Sequence, residues 1–251
     1  MWLPIRFTLI FLLATVLLFG CQEKPETAAT VMQKVITAHG GESALNQVQG
    51  LLFHGHVQSL TESDHGKLWI LYRQPGQLRV IAELEKRKED RLYLQGEGWT
   101  DSGSGFEKTT GLSLDLMKFQ TEHLSLLFGL AEGAYQPRLL EEAIVADQPI
   151  RLALTDKDGL ETRVTIDPVS WLVRTVERDL MVEDKKVSFG IAYEEYRPVK
   201  GVQLPYRIQN FVNGKPVAQA DFGSVQINPS LPENVFSAPG LKAKQDGKSS
   251  A

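Results

Sequence analysis

Few residues in this 251-residue chain have the type and spacing to do chemistry. Cys21 is the only cysteine, which excludes internal disulfides and thiolate zinc sites and leaves one sulfur free for modification. His54 and His56 stand two apart on a predicted strand, a spacing that aims two imidazoles from one face and can chelate a metal. Leu51, Phe53 and Val57 occupy the opposite face, so the histidines fall on the wet side with no third ligand, and solvated strand histidines are expected. Asp156-x-Asp158-Gly159 hints at a calcium loop but lacks the twelve-residue pattern and its closing Glu, and reads as a tight hairpin turn. Glu194 and Glu195 are strand neighbours, expected on opposite faces, which is poor geometry for a carboxylate pair. Ser104 lacks the flanking glycines of a nucleophile elbow, there is no P-loop, and Gly96-Glu97-Gly98 does not extend into a dinucleotide fingerprint. No catalytic residue, resident metal or cofactor is expected.

Cys21 closes a run with a basic residue (Arg6), an uncharged stretch from Phe7 to Phe19, and Gly20 at the edge. This is the layout of a secretory signal, too short and wrongly flanked for a spanning helix. Leu18-Phe19-Gly20-Cys21 resembles the bacterial lipobox, which implies cleavage before Cys21 and acylation of that cysteine, with palmitate among the chains attached. One acyl chain gives only marginal anchoring, so firm attachment takes more than one. Gln22 after the cysteine resembles the Gram-negative signal for the inner leaflet of the outer membrane. The expected mature chain, Cys21–Ala251, carries 26 basic and 31 acidic residues, a net charge of −5, and nothing in that balance points to nucleic acid.

Beyond a short tether at 21–26, Thr27–Ala38 reads as a helix with Val31 and Val35 on its apolar stripe, stopped by His39-Gly40-Gly41. A short turn at Glu42–Asn46 leads into alternating segments from Leu51 to Gln95. Leu112, Leu116, Phe119, His123, Leu126, Leu127 and Leu130 then take helical spacing, with Gly129 and Gly133 as the expected stop. Six more strands follow from Pro149 to Val225, joined by hairpin signals such as Asn213-Gly214. The expected architecture is mainly β (α+β): an antiparallel meander of nine or ten strands, long enough to curl, covered by the two helices. One domain spans 27–239, and the polar tail 240–251 is expected to be disordered.

The ordered set His39-Gly40-Gly41, Trp69, Arg73-Gln74-Pro75-Gly76, Gly98-Trp99, Asp167-Pro168 and Gly201-Val202-Gln203-Leu204-Pro205 resembles the lipoprotein-carrier superfamily of LolA and LolB, over nearly the whole mature chain. The resemblance implies an unclosed half-barrel around an apolar cavity, lidded by helices, that places acyl chains of lipoproteins or serves as an envelope sensor. In the carriers an Arg between a strand Trp and a Pro helps to hold the lid, and Arg73 is the nearest match.

On that pattern the cavity wall is assigned to Leu51, Phe53, Trp69, Leu71, Leu78 and Val80 from the first half of the sheet. Leu152, Leu154, Val164, Ile166, Ile191, Leu204 and Ile208 complete it from the second. The lid is assigned to Val31, Val35, Leu116, Phe119, Leu127 and Leu130. The leading expectation is a non-enzymatic, membrane-anchored lipoprotein on the periplasmic side that binds a lipid or lipoprotein acyl chain. Its rivals are an interaction or sensor module with a filled core that docks an envelope protein, and more distantly a metal-assisted hydrolase at His54 and His56.

Overall fold

The computed structural model describes residues 26–141, 145 and 147–237. The expected signal at 1–20, the expected acylation site Cys21 and the tail 240–251 lie outside the described residues.

Helix α1 (Ala28–Ala38) starts where Thr27 and Thr30 satisfy each other's backbone N–H groups, a capping box that closes two otherwise orphaned donors. It buries Val31, Met32, Val35 and Ile36 and is followed by a single turn, α2 (Glu42–Leu45). The strands that follow are β1 (Gly50–Ser59), β2 (Asp64–Arg73), β3 (Gln77–Leu84), β4 (Lys88–Leu94), β5 (Glu97–Asp101) and β6 (Glu107–Thr109). After α3 (Gly111–Ala131) come β7 (Gln136–Leu139), β8 (Ile150–Thr155), β9 (Glu161–Ile166) and β10 (Val173–Val182). The last three are β11 (Lys185–Val199), β12 (Val202–Val212) and β13 (Lys215–Ile227), before a 3-10 turn at Glu233–Phe236.

The thirteen strands form one antiparallel sheet, ordered β6-β5-β4-β3-β2-β1-β13-β12-β11-β10-β9-β8-β7. The chain walks outward from β1 to one edge at β6, crosses the inner face as α3, and re-enters at the opposite edge as β7. It then walks back until β13 pairs with β1. The two edges are the short strands β6 and β7, which do not pair with each other, so the sheet does not close into a barrel. Helix α3 touches β3, β4 and β5 on one side and β10 on the other, so it spans the face that both meanders must cover.

Three strands escape the sequence pattern: β5, β6 and β7 hold five, three and four residues, too few to show a period. Gly129 does not end α3, which runs on to Ala131; a side chain at Gly129 would collide with the Tyr135 ring, and Gly133 (φ +72°) makes the turn. Most inner-face side chains join one continuous apolar core with α1, α2 and α3. A second, smaller cluster lies on the outer face, where Leu71 and Leu92 pack under Phe236, flanked by Trp69 and Trp99. The chain after β13 therefore covers the back of β2 to β5.

Candidate functional site: a cavity beneath the crossing helix

Under α3 the inner face of the sheet is not filled. A cavity of about 300 Å³ is walled by Leu68 and Ile70 of β2, Leu78, Val80 and Ala82 of β3, Ile208 of β12 and Ala220 of β13. Its roof is Leu124 and His123 of α3. A smaller void of about 40 Å³ continues on the other side of the same two residues, among Leu51, Phe53, Leu127, Tyr193, Tyr196 and Leu204. The first void is twice the ~150 Å³ of an apolar cavity that takes up benzene, and it reaches the lower end of the range of small-molecule sites.

Charge is confined to the rim and is neutralised there. Arg87 pairs with Glu62, and Arg91 lies 3.2 Å from Glu89 while donating to Gln120 of α3 at 3.0 Å. All five side chains border the larger void.

One polar group sits at the junction of the two voids. Nδ1 of His123 and the Tyr193 hydroxyl are 2.9 Å apart. Burial pushes the His123 ring down to about pKa 3, so it is neutral, and the same burial pushes the Tyr193 hydroxyl upward. Tyr193 faces inward with Tyr196, three residues on, because the backbone turns left-handed at Glu195 (φ +53°), which interrupts the pairing with β12 for one residue without shifting its register. The kink also overturns the expectation that Glu194 and Glu195 diverge: both reach Arg207 on β12, at 3.8 and 2.9 Å.

The helix is held over the cavity by Arg178 of β10. This buried guanidinium donates from Nη2 to Thr162 at 2.6 Å, pairs through Nη1 with Glu122 of α3, and stacks 5.4 Å from the Phe119 ring. The neighbouring helix α1 is fixed by His39, its C-cap. Its Nε2 accepts the Val173 N–H at 3.2 Å, its Nδ1–H donates to the Gln203 carbonyl at 3.3 Å, and Tyr196 packs on its edge. Gly40 next to it approaches so closely that a side chain there would sit 2.4 Å from the Gly201 carbonyl oxygen. His39-Gly40-Gly41 thus stops α1 and also ties it to β10 and β12.

The fold has counterparts among solved structures. A DUF1329 family protein from Desulfovibrio piger superimposes with a TM-score of 0.54 at 10% identity, covering 84% of this chain and 97% of that one. A LolA superfamily protein from Nitrosomonas europaea gives 0.52 at 16% identity, covering 84% and 98%. A domain assigned to outer-membrane lipoprotein sorting from Vibrio parahaemolyticus gives 0.50 at 10%, covering 84% and 96%. The fold is LolA/LolB-like. No family model matches the sequence, and no curated protein matches it.

Within this LolA/LolB-like frame the sequence-assigned residues divide into groups. Leu78, Val80 and Ile208 border the larger void, and Leu51, Phe53, Leu204 and Leu127 the smaller. Leu152, Leu154, Val164, Ile166 and Ile191, with Val31, Val35, Phe119 and Leu130, belong to the solid part of the core and border neither void. Leu116 is half-exposed and stands outside both clusters.

Trp69 and Leu71 correct the assignment outright: they point to the outer face, and Leu68, Ile70 and Tyr72 take the inner one. Residues 68–72 are apolar without a break, because β2 is covered on both faces, so alternation carries no phase there. Arg73 is a second correction. It lies 4.5 Å from the Phe236 ring and donates to Gln77 at 2.9 Å, away from the helix. The strand-to-helix latch in this chain is Arg178, whose sequence context looks like any solvated strand residue. His54 and His56 are exposed, and His54 stacks on Trp69 with centroids 5.0 Å apart. Among the described residues no cluster of three His, Cys, Asp or Glu side chains could hold a metal. Asp156 accepts from the N–H groups of Asp158 and Leu160 at 2.9 Å, a turn in its own right.

Proposed function

We propose that this protein is a non-enzymatic lipoprotein of the bacterial envelope, anchored through Cys21, that holds one acyl chain of a lipid or lipoprotein in the cavity beneath α3. The observation that carries the reading is the void itself: about 300 Å³ walled by Leu, Ile, Val and Ala side chains and opening at a charged rim. Burying a methylene is worth about 0.8 kcal/mol, so a partly enclosed chain suffices for useful affinity without any reacting group. The likeness of fold to a LolA superfamily protein and to a lipoprotein-sorting domain is in keeping with this, as is the lipobox-like segment before Cys21.

The test is titration of Cys21–Ala251, made without its anchor, with an environment-sensitive apolar probe and competition by lipids. Saturable, competable binding near one per chain is the expected result. A well-folded protein that takes up no probe leaves the filled-core docking module as the better reading. For the anchor, Cys21→Ala is expected to abolish acylation, and an acylated mature form of that variant would refute the assignment.

A further inference from the structure

The polar groups that border the cavity say which form of acyl chain it takes, an inference that rests on the proposed lipid-binding role. Both rim cations are already matched by carboxylates bordering the same void, Arg87 by Glu62 and Arg91 by Glu89. A free carboxylate or phosphate entering there would meet no uncompensated positive charge, and moving it into the apolar interior unpaired is costly.

Inside, the one polar side chain common to both voids is His123. A phenol is a better donor than a neutral imidazole N–H, and a bare imidazole nitrogen a better acceptor than a phenol oxygen, so the Tyr193 hydroxyl donates to Nδ1. That fixes the tautomer with the proton on Nε2, and Nε2 has no protein partner among the described residues. A neutral N–H donor at the junction of two apolar voids is suited to an uncharged oxygen acceptor. In an acyl ligand the strong uncharged acceptor is the carbonyl of an ester or amide.

We infer that the cavity selects esterified or amidated acyl chains over free fatty acids, and that His123, held by Tyr193, reads the acyl carbonyl through Nε2–H. The selection has two independent parts: neutralised rim charge rejects the carboxylate, and the His123 donor favours a carbonyl over plain hydrocarbon.

Three twelve-carbon probes separate these parts by calorimetry at pH 7.5: 1-monododecanoyl glycerol, 1-O-dodecyl glycerol, which lacks only the carbonyl, and dodecanoate. The ester is expected to bind about fivefold tighter than the ether, the ratio of one neutral hydrogen bond, and about tenfold or more tighter than dodecanoate. In His123→Phe the ester-to-ether ratio should fall to one, whatever the absolute affinity of each. Tyr193→Phe, which removes a single oxygen, should lower the ester-to-ether ratio if His123→Phe fails to fold. An ester-to-ether ratio of one, or one that neither variant lowers, overturns the role of His123. Dodecanoate binding as tightly as the ester overturns the charge selection. If the ether and dodecanoate bind but are not distinguished from the ester, lipid binding stands and this inference falls; if none of the three binds, both fall.

Discussion

Arg178 of β10 and Glu122 of α3 form an ion pair between the second meander and the helix that roofs the cavity, with Thr162 accepting from Nε and Nη2 of the guanidinium. The Arg178 side chain is only 8% exposed and Glu122 26%, so the pair lies at the edge of the interior. Breaking it by Arg178→Met leaves the Glu122 carboxylate with Lys118 alone and Thr162 without its partner. Loss of one member of a fully buried pair costs about 3–5 kcal/mol, and the partial exposure of Glu122 reduces this to about 2 kcal/mol. Urea denaturation is expected to show that loss, with faster uptake of an apolar probe as the roof loosens. An unchanged midpoint would mean that the helix is held by apolar contacts alone.

Gly40 and Gly41 make a controlled pair. Both have positive φ, at +123° and +81°, but only Gly40 faces a backbone carbonyl that a side chain would strike. Gly41→Ala bears the conformational cost alone, about 1 kcal/mol. Gly40→Ala adds the displacement of β12 and should cost about 3 kcal/mol or fail to fold. Equal losses in the two variants, measured by thermal unfolding, would show that the approach to Gly201 is not tight in solution.

Stability should fall as pH drops below the usual histidine range. Burial holds His39 at about pKa 4 and His123 at about 3, against 6.5 in the unfolded chain. Between those values the unfolded state binds more protons, so the unfolding free energy rises with pH from about 4 to 6.5 and is level above. For His39 the full swing is on the order of 3 kcal/mol. Denaturation midpoints at pH 7.5, 5.5 and 4.5 should decline in that order, and NMR should show the His39 ring still neutral at pH 5.5. Midpoints that do not change across this window would remove the claim.

The two faces of β2 and β3 should separate stability from binding. Leu71→Ala empties part of the outer cluster and is expected to cost about 2–4 kcal/mol with probe affinity unchanged. Val80→Phe extends a ring into the larger void, so affinity should drop by about tenfold or more with a small change in stability. Leu127→Glu, at the smaller void, should also weaken binding, while exposed His56→Ala should not. Probe titration of the four variants decides; equal effects of Leu71→Ala and Val80→Phe would mean that the cavity is not the binding site.

The order of elements is legible in the amino-acid sequence. The Thr27 start, the glycine stop of α1, the alternation in β1 and β8 to β13, and the Asn213-Gly214 turn follow from local rules of capping, period and left-handed backbone. The helical spacing from Leu112 to Leu130 matches α3 to within a residue at each end. These features depend on near neighbours in the chain, so the residues of each element suffice to specify them.

Which apolar residues leave a void and which fill one is set by packing between distant elements. Trp69 and Leu71 look like wall residues because β2 is apolar on both faces, and only the return of the chain at Phe236 assigns them outward. Tyr193 and Tyr196 share a face only because the backbone turns left-handed at Glu195 (φ +53°), a local kink in β11 that leaves the register with β12 the same on either side. Arg178 becomes a latch, and His123 the polar point of the cavity, through partners 56 and 70 residues away in the chain. Period and propensity describe one element at a time. A cavity is a failure of two distant elements to meet, and its position depends on their packing and not on the residues of either.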